Sequence, residues 1–118
     1  MKLRATVSAS ANSDAYDGMA YIYCHDPRQN YCFSLTRAVG SDDIEVMVFD
    51  QVVHRVDHLE VALQASGFKT TLSMDAASLL DGHSEYDIEF LPGAWNRQAV
   101  EKALAAIFRG KEGLSARA

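Results

Sequence analysis

The sequence predicts an α+β fold: a mostly antiparallel sheet of about six to seven strands, one short helix, and a C-terminal amphipathic helix packed on the sheet. Three observations carry this reading. Apolar residues alternate with a period of two along most of the chain between Lys2 and Leu91, the pattern of half-buried strands. The alternating runs are separated by short clusters of Gly, Pro, Asn, Asp and Ser, which punctuate hairpins. The period changes only near the end, where Val100, Ala103, Leu104, Ile107 and Phe108 recur at i, i+3, i+4, i+7 and i+8, a helical stripe that has to lie on the sheet.

Lys2–Ala9 alternates with Leu3, Ala5 and Val7 on one side and forms the first strand; Ser10–Gly18 is small and polar and reads as a loop. Met19–Cys24 and Tyr31–Arg37 flank the turn-forming segment HDPRQN (His25–Asn30) and predict a hairpin. Centring its turn on Arg28 sets Tyr23 opposite Phe33 and Tyr21 opposite Leu35. In that register Met19, Tyr21, Tyr23, Tyr31, Phe33 and Leu35 form the core face. Ala20, Ile22, Cys24, Cys32, Ser34 and Thr36 then form the other.

Val39–Asp43 is a turn, and Ile44–Phe49, apolar on both sides, belongs inside the sheet. Val53–Leu63 alternates through Val53, Arg55, Asp57, Leu59, Val61 and Leu63, and the polar pair in that series predicts a break near Arg55–Asp57. Gln64–Gly67 turns the chain, and Phe68–Met74 returns with Phe68, Thr70, Leu72 and Met74 on one side. Asp75 is placed to cap a short helix, Ala76–Asp81, ended by Gly82, with Met74 and Leu79 at the spacing of a hydrophobic staple. Glu85–Leu91 follows with Tyr86, Ile88 and Phe90 inward, Asp87 and Glu89 outward, and Pro92-Gly93 as the stop. Asn96 caps the closing helix, Trp95 and Val100 again have staple spacing, and Gly110 ends it. Burying its stripe contributes about 5–10 kcal/mol gross. These elements make a single domain over residues 1–110, with 111–118, which lack a pattern, as a flexible C-terminal tail.

At 118 residues and 13.0 kDa the chain can hold one core without staples. It contains no repeat and no apolar run near the ~20 residues of a membrane span, and its polar start predicts a cytoplasmic protein. The net charge of −5 argues against a binder of nucleic-acid backbones. Because Arg109, Lys111 and Arg117 concentrate in the tail, residues 1–108 hold 8 basic against 15 acidic residues, a balance of −7. Such a body attracts a basic partner and speeds the encounter.

No enzyme, cofactor or metal centre emerges from the motifs. The hairpin register places Cys24 opposite Cys32, which permits a disulfide or a two-thiol half-site, but the spacing is not that of a zinc knuckle and there is no second pair. Two free thiols are the expectation in a reducing cytosol. His54 and His58 stand about 13 Å apart along a straight strand, too far for joint ligation; His25 and His83 lie beside turns. Glycine-rich phosphate loops and nucleophile elbows are absent. What remains is acidic surface. Asp42, Asp43, Glu45 and Asp50 cluster around one strand; Asp81, Glu85, Asp87 and Glu89 cluster around another. Outward acids on rigid strands predict a negative platform, so Asp42, Asp43, Glu45, Asp50, Glu85, Asp87 and Glu89 are the candidate partner-binding residues.

Residues 43–109 resemble the immunity protein 10 family of bacterial polymorphic-toxin systems. The likeness rests on DIEVMVFDQ (Asp43–Gln51), VDHLEVALQASGFKTTLSMDAASLLDG (Val56–Gly82), YDIEF (Tyr86–Phe90) and AVEKALAAIF (Ala99–Phe108). In order these form a strand, an acidic-Gln turn, two strands, a short Asp-capped helix, a strand and the final helix. Asp50–Arg55 departs from it in lacking the glycine of a glycine-rich turn. The resemblance implies a non-catalytic cytoplasmic antidote whose partner is a cognate toxin domain, such as a basic nuclease, with no nucleic acid or membrane bound. The alternatives are a homodimeric α+β interaction module joined at a strand edge or at the apolar side of the helix, and a small ligand-binding or enzymatic module using Tyr21, Tyr23 and Tyr31 with His25.

Overall fold

The computed structural model describes residues 1–13, 18–49, 52–93 and 95–116. The fold is α+β with a mostly antiparallel sheet. Its elements are β1 (Lys2–Ser13), β2 (Met19–Asp26), β3 (Tyr31–Arg37), β4 (Ile44–Phe49), β5 (Val52–Val56), β6 (Glu60–Gln64), β7 (Gly67–Thr71), α1 (Met74–Leu79), β8 (Glu85–Phe90), α2 (Arg97–Ile107) and β9 (Leu114–Ala116). Among the described residues nine strands run in the order β5-β4-β3-β2-β1-β8-β7-β6-β9, more than the six to seven expected. Two meanders, β1 to β5 and β6 to β8, join where β1 pairs parallel with β8. The only other parallel pair among the described strands is β6 with β9.

Chain connectivity forces this sheet to curl. In a flat sheet β5 and β6 would lie about 34 Å apart, seven spacings of roughly 4.8 Å. Only Asp57–Leu59 connects them, and a stretch that short reaches about 14 Å. The two ends therefore bend toward each other. Phe33 of β3 meets Phe68 of β7 at 6.0 Å and Tyr86 of β8 at 4.7 Å between ring centroids, packing the space inside the curl. The rest of the interior is filled by α2, which lies against β1, β2 and β3. Its stripe behaves as the periodicity requires: Val100, Ala103, Leu104, Ile107 and Phe108 are all buried. Asn96 caps it, accepting from the Ala99 N–H at 3.1 Å. Its other end is closed by Arg37 of β3, whose Nη1 donates to the carbonyls of Ile107 (3.0 Å) and Arg109.

The β2–β3 hairpin departs from the expected register by one residue. Asp26 pairs with Tyr31 and Cys24 with Phe33, so the turn centres between Arg28 and Gln29. The cause is the buried Asp26 carboxylate. It accepts from the N–H groups of Arg28 (2.9 Å) and Gln29 (3.2 Å), from the Gln29 side-chain amide (2.9 Å), and from the Arg4 N–H of β1 (3.0 Å). Burial raises the carboxyl pKa, yet these four bonds outweigh it and hold Asp26 below its ordinary value. A slip of one residue reverses a strand. Ala20, Ile22 and Cys24 therefore face inward, and Tyr21 and Tyr23 face out. Cys24 and Cys32 point to opposite faces, and both thiols are free; burial pushes the Cys24 thiol pKa up.

Other boundaries moved for local reasons. β1 runs on to Ser13, through the first four residues of the segment read as a loop. The break after β5 falls at Asp57–Leu59 and shifts the phase, so that Val53 is exposed whereas Leu59, Val61 and Leu63 are buried. Helix α1 is capped by Ser73, not Asp75, through a 3.1 Å bond from the Ala76 N–H. Met74 and Leu79 are 76% and 59% exposed, so no staple closes there. The helix ends at Leu79 rather than at Asp81, with Leu80 as its C-cap, and Gly82, with φ of 90°, lies beyond it and donates its N–H to the Ala77 carbonyl. The segment expected to be a free tail carries β9, anchored by the Val61 N–H to Gly113 carbonyl bond and by Lys111 Nζ on the Asp57 carbonyl. Among the described residues no helix is long and apolar enough to cross a membrane.

Candidate functional site

Strand pairing arranges the outer face of β1–β5 in cross-strand rows. One row reads Ser8, Tyr23, Ser34, Met47, Val53; the next reads Ser10, Tyr21, Thr36, Glu45, Arg55. A third joins Thr6, His25, Cys32 and Phe49. Strand β3 supplies a small side chain to every row, while β2 and β4 supply large ones. The result is a groove along β3, floored by Ser34 and Thr36 and walled about 10 Å apart by β2 and β4. Tyr21, Tyr23 and Met19 stand on one wall, Met47 and Glu45 on the other, around a cavity of about 400 Å³.

The walls are tethered. Tyr23 Oη lies 2.9 Å from Cys32 Sγ, and Tyr21 Oη makes a long 3.4 Å contact with Ser8 Oγ. Glu45 faces Arg55 at 3.7 Å with both side chains well exposed, a pairing worth little in water. The apolar surface continues past the groove to Phe49, 51% exposed, and Val53, 45% exposed. Phe49 also has φ of 56°, a conformation that costs a non-glycine residue about 1–2 kcal/mol.

The acidic candidates do not assemble into one platform. Glu45 lies in the groove. Asp42 and Asp43 are exposed in the turn before β4, with the Asp42 carboxylate 3.9 Å from Arg37. Asp50 lies outside the described residues. Glu85, Asp87 and Glu89 are on β8, four strand spacings or about 19 Å along the sheet from β4. There they alternate with bases: Lys2 and Lys69 flank Asp87 in register, and Arg4 approaches Glu89 at 3.8 Å. Asp81 serves the fold instead. It accepts from Tyr86 Oη at 2.8 Å and from Tyr31 Oη, tying the α1–β8 loop to β3. Burial, then the hydrogen bond to Asp81, raises the Tyr31 pKa; burial also dominates at Tyr86.

Tyr31 is thus inside the protein while Tyr21 and Tyr23 are outside, so the three do not share the one face that the small-ligand alternative requires. His54 sits on β5 and His58 in the exposed linker beyond it. Among the described residues no three His, Cys, Asp or Glu side chains gather to hold a metal. The groove itself escaped the sequence reading because the hairpin slip hid its tyrosine wall in the core. The available signal was Asp26, a residue suited to accept the N–H groups of its own turn. Comparison of the chain with protein-family models, with curated proteins and with solved structures gives no match.

Proposed function

We propose that this chain is a cytoplasmic, non-catalytic immunity protein that binds a cognate bacterial toxin domain and neutralises it, with the β3 groove at the centre of the contact. The observation that carries this reading is the row of tyrosine and methionine side chains around Ser34 and Thr36 on a hydrogen-bonded sheet. Aromatic and methionine residues are enriched in the cores of protein interfaces, and a rigid platform orders little on binding. The acidic balance of the chain suits a basic toxin such as a nuclease, whose encounter opposite charge accelerates. The resemblance of residues 43–109 to immunity protein 10 sequences supplies the biological role.

Co-expression tests it. A toxin domain encoded beside this gene should arrest growth alone, and growth should return when this chain is present. The two should also elute together from a sizing column. Continued arrest with both proteins expressed, and separate elution, refute the proposal. A second reading is favoured by β5, which ends the sheet with Val53 exposed: a homodimer joined edge to edge. Light scattering that gives twice 13.0 kDa for the purified chain supports it, and a monomer mass refutes it.

A further inference from the structure

The groove carries chemistry more specific than general stickiness. Its rings and thioether would accept an apolar anchor, but such an anchor would cover Glu45 and leave a carboxylate desolvated without adequate compensation. An anionic anchor would meet repulsion from the same group. A cation satisfies both demands: tyrosine faces attract it through their quadrupoles, and Glu45 pairs with it. The exposed, 3.7 Å pairing of Glu45 with Arg55 leaves carboxylate lone pairs for a second donor. Between the cationic side chains, a planar guanidinium stacks on a ring and offers a two-pronged match to a carboxylate, which a lysine ammonium does not.

We propose that the groove seats an arginine side chain of a basic protein partner, its guanidinium against Tyr21 and Tyr23, opposite Met47, and paired with Glu45. This rests on the groove being the docking surface proposed above and names the anchor it accepts. A protein supplies the arginine because the groove is open and runs into exposed Phe49 and Val53, which a free amino acid leaves uncovered and a polypeptide covers.

Methyl and aromatic NMR of the purified chain reads this directly, with three probes. Nα-acetyl-arginine methylamide should give saturable shifts at the Met47 methyl and the Tyr23 ring. The citrulline analogue, equal in shape but neutral, should give none. The pentapeptide acetyl-Ala-Ala-Arg-Ala-Ala-amide should bind more tightly than the single residue, with added shifts at Val53. Glu45→Gln, a surface change, should weaken arginine binding about tenfold. Shifts of equal size with citrulline, no saturable shift with arginine, or unchanged affinity in Glu45→Gln each overturn the proposal. Equal affinity for peptide and single residue overturns the protein source and assigns a small guanidinium compound. The immunity reading fails separately: growth rescue without arginine-specific shifts rejects only the slot, and arginine-specific shifts without rescue reject only the toxin partner.

Discussion

Replacing Gly67 with alanine is the sharpest test of how the sheet is built. Gly67 opens β7 and pairs with Glu89 of β8. An added Cβ would lie 2.0 Å from the Ile88 carbonyl oxygen and 3.0 Å from Glu89 Cα, both backbone atoms that cannot swing aside. Relief requires the start of β7 to move away from β8. Overpacking of this kind costs about 1–3 kcal/mol. The movement also weakens the 2.8 Å bond from the Phe90 N–H to the Ser66 carbonyl, a further ~1 kcal/mol. Against this, removing a glycine from the unfolded chain returns about 0.4–1 kcal/mol. The net loss is about 2–3 kcal/mol, or a fall in melting temperature on the order of 10 °C. Urea unfolding followed by tryptophan fluorescence and by far-ultraviolet dichroism measures it. Gly93→Ala is the control: nothing lies within 4 Å of its added Cβ, so only its φ of 78° costs, about 1 kcal/mol. A Gly67→Ala midpoint equal to that of the parent refutes the close approach of β7 to β8.

The turn at Asp26 makes stability depend on acid. Its folded pKa is below the unfolded value near 3.8, so the stabilisation is complete above that value and is lost as pH falls through the folded pKa. Asp26→Asn should lose about 1–3 kcal/mol at neutral pH, with the gap to the parent closing in urea titrations below pH 4; equal midpoints at pH 7 refute the carboxylate's role. Arg37→Met should unfasten the end of α2 and cost about 1.5–3 kcal/mol, with faster hydrogen exchange confined first to Ala106–Gly110; uniform exchange would refute a capping role. Native labelling with a maleimide should modify Cys32 once and leave Cys24 untouched until denaturant is added, as read by mass spectrometry; an oxidised form with an internal disulfide would refute the placement of the thiols on opposite faces.

How much was legible depended on how local the cause was. The α2 stripe and its Asn96 cap could be read directly, because both are set within a few residues of each other. So could the inward Tyr86, Ile88 and Phe90 of β8, whose alternation has a charged residue at each outward position. The candidate site was half visible. Alternation marks Cys32, Ser34 and Thr36 as a small, half-polar face and Glu45 as an outward acid, but a turn centred on Arg28 puts Tyr21 and Tyr23, the wall opposite, in the core. Strand β9 was invisible because Leu114–Ala116 is too short to show a period, and its partner, β6, is far away in sequence.

By itself the sequence determined which of the longer patterned segments are strands and which are helices, since periods of two and 3.6 are properties of consecutive residues. It also determined the acidic balance of the chain. Only the tertiary structure decided which side of β2 faces water, because parity follows from turn length, and that turn is held by Asp26 accepting from Arg4 on another strand. The closure of the sheet was decided there too: a connection of three residues between β5 and β6 says nothing about curvature until the strand order places them at opposite ends. The groove exists because the parity of the hairpin, with the register of β3 on β4, sets a column of small side chains between two columns of large ones.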